Sequence, residues 1–212
     1  VDLVGDESYE LRFKSLGGGD GGAWGARWSD VRSVEFTGGG DEHGGLGVLA
    51  VFADPQTRRA CRISYLRVAR QGSCGSEQLL WEEMDEAAYL EVFRTKNRGF
   101  VLLSSNTKDT SEVRAVACPG EGAAPVAVAP KVLLARREGV EYFAEYSAGF
   151  FYIVSNHERP DFAVYLLPEE ALDAEDGGWP SLRPFFTPPS GLHVTDADLM
   201  ARWLVLYGHE FA

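Results

Sequence analysis

The side chains best placed for covalent chemistry are those of Gly72-Ser73-Cys74-Gly75-Ser76. A nucleophile elbow, G-x-S-x-G, lifts a serine onto a strained strand-to-helix turn. These five residues do not fit that pattern, and their glycines and serines read as a loop. The histidines His43, His157, His193 and His209 stand far apart, none with a second His or Cys at metal-ligand spacing. They read as surface-loop residues. His209 beside Glu210 is an acid-base pair without a nucleophile. No catalytic residue, metal or cofactor is therefore expected in this chain.

Carboxylates gather at Glu82, Glu83, Asp85 and Glu86, and again at Glu169, Glu170, Asp173, Glu175 and Asp176. Glycosidases need two acids facing each other across a sugar, and sequence spacing does not supply that geometry, so solvated turns are the simpler reading. The glycine-rich stretches 17–22 and 38–47 carry no G-x-x-x-x-G-K-[ST] and read as flexible insertions between strands. Arg58, Arg59, Arg62, Arg67 and Arg70 alternate with apolar residues, as on the solvent face of a strand and its exit loop. Trp24, Trp28, Trp81, Trp179 and Trp203 sit at strand or turn positions and read as core or edge residues, not as a base-stacking platform.

The elements that would position such groups come from a 212-residue chain that is 45% hydrophobic, enough to fill a sizeable core. A net charge of -12, from 32 acidic and 20 basic residues, repels phosphate backbones and attracts cationic peptides. No nucleic-acid partner and no membrane span is expected, because no stretch approaches about 20 apolar residues. Three cysteines without a C-x-x-C pair suggest neither a disulfide framework nor a zinc knuckle, so a reducing, cytoplasmic setting is expected. Strand-like text runs from the first residues to Tyr207, which leads us to expect a piece of a longer chain.

One segment repeats. Gly99-Phe100-Val101-Leu102-Leu103-Ser104-Ser105-Asn106 returns as Gly149-Phe150-Phe151-Tyr152-Ile153-Val154-Ser155-Asn156, with looser copies at 47–54 and 202–209. The period of about 50 residues falls in the range of propeller blades. A polar turn and an alternating strand follow each of the first three copies, at 62–68, 111–117 and 161–167, and two more short strands precede the later copies, at 79–83 with 89–93 and at 132–136 with 139–143. Short runs rich in Val, Phe and Tyr between turn residues argue against helices, apart from turns at 168–174 and 196–201. The expected fold is all-β: an incomplete β-propeller of about four four-stranded blades. Its expected parts are a half-blade at 1–22, blades at 23–78, 79–131 and 132–182, and a half-blade at 183–212.

Residues 79–168 carry a family resemblance. Trp81-Glu82-Glu83, Leu102-Leu103-Ser104-Ser105 with Thr110-Ser111-Glu112-Val113, then Gly139-Val140-Glu141-Tyr142 and Phe151-Tyr152-Ile153-Val154-Ser155-Asn156 resemble, in that order, the propeller of oligopeptidase B in the prolyl oligopeptidase family of serine peptidases. Gly5-Asp6-Glu7, residues 9–14 and Phe52-Ala53-Asp54 are similar too, while 38–47, 120–130 and Ala163-Val164 depart from the family text. The resemblance implies a seven-bladed ring capping an α/β-hydrolase domain that this chain lacks, where a Ser, an Asp and a His perform hydrolysis. It implies a non-catalytic sieve for short peptide substrates, cleaved after basic residues, with domain movement gating access. It also implies that the loop 106–110 lines the substrate cavity, with Asn106, Lys108 and Asp109 as the candidate site residues. Two other readings stay open: a stand-alone propeller that binds a protein partner, and a propeller glycosidase.

Overall fold

The computed structural model describes residues 8–13, 26–39, 45–68, 74–119, 129–174, 177–200 and 203–210. These form 16 strands and two short 3-10 turns, and the chain divides into two compact units. The first comprises residues 1–93 and 117–129, the second 94–116 and 130–212.

In the first unit, β1 (Glu10–Arg12) pairs antiparallel with β2 (Arg27–Ser29), Leu11 opposite Trp28. A four-stranded antiparallel sheet follows in chain order: β3 (Val31–Gly39), β4 (Leu46–Ala53), β5 (Ala60–Val68) and β6 (Cys74–Glu82). Strand β4 has no polar face. Val48, Leu49, Ala50 and Val51 are all fully buried, as a continuous apolar run requires when both faces of its sheet are covered. Over one face lie Phe13, Trp28 and Val31 with Phe52, Leu66 and Val68, and Phe13 meets the Trp28 ring edge-on at 5.9 Å. Asp54 ends β4 by accepting backbone N–H bonds from Gln56 (2.9 Å) and Thr57 (2.7 Å) at one carboxylate oxygen. That local turn carries the chain back into β5.

A second four-stranded sheet has the order β10-β9-β8-β7: β7 (Tyr89–Arg94), β8 (Phe100–Asn106), β9 (Ser111–Ala117) and β10 (Lys131–Leu134). The third lies in the second unit in the order β11-β12-β13-β14: β11 (Tyr142–Ser147), β12 (Phe150–Ser155), β13 (Ala163–Pro168) and β14 (Arg183–Phe186). Its centre is Phe151, fully buried, with Phe100 at 5.1 Å and Tyr146 at 4.8 Å between ring centres. Over the opposite face, Val154 and Val164 pack with Val194, Leu204 and Leu206 of a two-stranded ribbon, β15 (Leu192–Met200) and β16 (Trp203–Glu210).

Three sheets of four strands and two pairs of strands match the expected all-β content. The grouping runs one strand later than the expected blade boundaries. Residues 79–82 belong to β6, which closes the first four-stranded sheet through Arg62 opposite Glu82 and Ile63 opposite Trp81. In the same way β10 closes the second sheet and β14 the third, while β2, expected in a blade, pairs with β1. An alternating strand flanked by turns on both sides carries no mark of which neighbour it joins; the hydrogen-bond register decides it.

Helical turns are also redistributed. Glu169–Asp173 forms the expected 3-10 turn. Residues 196–200, also considered for a turn, are strand, with Asp196 opposite Tyr207 and Asp198 opposite Val205. A second 3-10 turn, Trp179–Ser181, enters at Gly178 with φ of 81°. A Cβ there would lie 2.1 Å from the Leu133 carbonyl oxygen, whereas Gly149, with φ of 84°, has nothing within 4 Å of that position. Gly149→Ala should therefore cost about 1–2 kcal/mol, the left-handed penalty alone. Gly178→Ala should cost clearly more, and urea unfolding of the two variants measures the difference.

Candidate functional site

The hairpin between β8 and β9 is built by Thr107. Its N–H donates to the Thr110 carbonyl at 2.9 Å. Its hydroxyl accepts from the N–H of Thr110 at 3.0 Å and donates to a carboxylate oxygen of Asp109 at 3.1 Å. Of the candidate residues, Lys108 and Asp109 are exposed at the tip, and half-buried Asn106 donates from Nδ2 to the Ser104 hydroxyl at 2.9 Å. The loop therefore presents one cation and one anion from a tip fixed by its own threonines.

Arg136, just beyond β10, braces the base of this loop. Its guanidinium donates to the Thr110 hydroxyl at 2.9 Å and the Ser105 hydroxyl at 2.6 Å, and its backbone N–H reaches Glu112 at 3.3 Å. Glu112 also takes the fork of Arg114, at 2.9 Å from Nε and 2.7 Å from Nη2. Beneath them the buried Tyr142 hydroxyl accepts from the Val113 N–H at 2.7 Å and donates to the Leu134 carbonyl at 2.5 Å. Burial pushes this phenol well above its usual range. Arg137 stacks over Trp179 at 4.0 Å, and the Trp179 indole N–H donates to the Ala135 carbonyl at 2.8 Å. Planar guanidinium and aromatic groups with satisfied polar ends make this seam a rigid support for the hairpin.

Other candidate groups are drawn into turns. The Arg59 guanidinium donates to the carbonyls of Asp85 and Ala88 at 2.9 Å and of Glu83 at 3.1 Å. Glu83 accepts from the Asp85 N–H and Asp85 from the Ala87 N–H, so this acidic cluster shapes its own loop. Arg58 pairs with Asp30 at 3.0 Å and Arg62 lies over the Phe52 ring at 4.5 Å; Arg67 is exposed. Asp54 is held below the usual carboxylate range by the N–H groups of Thr57 and Gln56. Glu169 accepts the Tyr146 hydroxyl, and Glu170 is exposed. Residues 74–76 lie in the extended strand β6, while 72 and 73, His43, Trp24, Arg70, Glu175, Asp176 and the stretch 17–22 fall outside the described residues, as does the Asp173 side chain.

His157 packs against Trp179 with ring centres 4.8 Å apart, and its Nε2 lies 3.7 Å from Glu158. His193 and His209 face each other across the β15–β16 ribbon, ring centres 5.3 Å apart. Trp28, Trp81 and Trp179 are buried, and Trp203 is exposed at the ribbon tip. Among the described residues no group of three or more His, Cys, Asp or Glu converges on one point, and no helix is long and apolar enough to cross a membrane.

No protein-family model matches the chain. A prolyl endopeptidase-like protein of Xenopus laevis is 35% identical over 136 residues, 63% of this chain and 17% of that protein. Its counterpart in Gallus gallus is 32% identical over 83 residues, 39% of this chain and 11% of that protein. Over these stretches the chain is similar to prolyl endopeptidase-like proteins. Oligopeptidase B from Leishmania major superposes over 99% of this chain and 27% of its own, with a TM-score of 0.76 at 16% identity. Oligopeptidase B from Trypanosoma brucei does so over 87% and 24%, with a TM-score of 0.67. The fold is thus the expected one, an incomplete β-propeller of the prolyl oligopeptidase and oligopeptidase B type. This chain corresponds to a small part of the length of each of these prolyl oligopeptidase-type relatives.

Residue reading missed Arg136 as a brace. It stands beside Arg137, and nothing local tells which of the two turns toward the preceding hairpin. Arg136→Ala should destabilise the chain by about 1–3 kcal/mol through the two lost hydroxyl contacts, and Arg136→Lys should recover only part of this, as urea unfolding would report.

Three phenols set an alkaline limit. Burial raises Tyr142 and Tyr165, and burial with the neighbouring Glu169 carboxylate pushes Tyr146 up to about 12. Unfolded phenols ionise near 10, so the folded state keeps protons that the unfolded state releases. These phenols should leave stability unchanged through neutral pH and lower it from about pH 10 upward. Tyr142→Phe should flatten that fall, measured as Tm against pH.

Proposed function

We propose that this chain is the substrate-gating part of an oligopeptidase B-like serine peptidase that hydrolyses short peptides, with cleavage after basic residues. The observation that carries the reading is the succession of four-stranded sheets, in a chain 35% identical over 136 residues to a prolyl endopeptidase-like protein. In this reading the propeller restricts entry to short, unfolded chains and supplies no reacting group. The serine, aspartate and histidine of the reaction belong to an α/β-hydrolase domain on the rest of the polypeptide. A net charge of -12 favours cationic peptides at the entrance. Asn106, Lys108 and Asp109 line the peptide cavity, Arg136 holding their loop in place.

The test is a peptidase assay on the protein read through from its full open reading frame. Arginyl and lysyl aminomethylcoumarin peptides should be cleaved, and this chain alone should cleave neither. A full reading frame without G-x-S-x-G, or one that leaves short peptides intact, defeats the proposal. In the active protein, Lys108→Ala with Asp109→Ala should raise KM for peptides several-fold and leave kcat within about twofold. Unchanged KM would remove these two residues from the cavity.

A further inference from the structure

The β15–β16 ribbon brings together two side chains that the sequence keeps apart. His193 and His209 are direct partners in the antiparallel register, so both imidazoles stand on the same face. Their ring centres are 5.3 Å apart. Two imidazoles bound to one tetrahedral zinc, each nitrogen about 2.1 Å from the metal and each ring centre about 1 Å further, have centres about 5 Å apart. The observed spacing matches that separation.

The scaffold around the pair is fixed. The Phe162 ring meets His193 edge-on at 5.4 Å, and the N–H of the next residue, Val194, donates to the Asp161 carbonyl at 3.1 Å. Gly208, preceding His209, lets the two backbones approach, since a Cβ there would lie 2.5 Å from the His193 carbonyl oxygen. His209 is exposed and His193 half-buried, so a hydrated ion can reach both rings from solvent. Each imidazole has two nitrogens, and one can bind metal while the other keeps a hydrogen bond.

We propose that His193 and His209 form a cross-strand site for one divalent transition-metal ion of the zinc, nickel and copper class. The imidazoles supply two ligands and water the others, which makes the site weaker than a four-ligand structural zinc site. Bound metal ties β15 to β16 close to the end of the ribbon where Leu192 faces Glu210. This inference is independent of the peptidase reading.

Calorimetric titration of the chelator-treated chain with zinc chloride at neutral pH tests it. One zinc per chain should bind. His209→Gln should weaken binding roughly tenfold or more, and so should His193→Gln, whereas His157→Gln should leave it unchanged. His209 is exposed, so its variant decides the question even if His193→Gln does not fold. Absence of zinc binding by the unmodified chain overturns the proposal. So does wild-type affinity in His209→Gln, which would place the ion elsewhere.

Discussion

Burial of both faces of the inner strands is the constraint on which the rest of this architecture depends. Strand β4 buries Val48 to Val51 without alternation, β8 does so at Val101, Leu102 and Leu103, and β12 hides Phe151 and Ile153 on one face and Val154 on the other. A sheet with one wet face would place polar side chains at every second position of such strands. These strands instead require apolar cover on each side. In the second unit β12 has it from Phe100 and Tyr146 on one face and from the Val194 cluster on the other.

Apolar cover leaves polar backbone to be satisfied where strands end, and the chain uses side chains for this. Asp54 and Thr107 each close a hairpin with a side-chain oxygen, and the Asn156 side-chain oxygen takes the Glu141 N–H at 2.8 Å. Tyr142 and Trp179 hold carbonyls of residues 134 and 135, where β10 gives way to the following loop. The Arg136 guanidinium then donates to two hydroxyls. A loop supported in this way displays Lys108 and Asp109 in a defined position, which a flexible loop would not give.

Much of this was legible from residue types. Continuous apolar runs between glycines and asparagines mark β4, β8 and β12, because strands buried on both faces leave that trace wherever they occur. The strand closing each sheet was not legible. Leu79 to Glu82 looks alike whether it pairs with β5 or with β7, and only the register of Arg62 with Glu82 settles the choice. Tertiary partners also escape a linear reading. Arg136 and Arg137 are adjacent, yet one braces a hairpin and the other stacks on Trp179. The pairing of His193 with His209 depends on a register that shifts between Val194 and Asp196, an irregularity that composition does not announce.

The β15–β16 ribbon has only two strands, and Trp203, Tyr207 and Met200 stand out from it into solvent. An inner strand such as β12 has amides bonded to a neighbour on either side, whereas among the described residues β16 pairs with β15 alone. Deuterium uptake should therefore be slower at β4 and β12 than at β16, residues 203–210. The same ribbon makes Trp203 a natural optical reporter, since its indole meets water while those of Trp28, Trp81 and Trp179 do not.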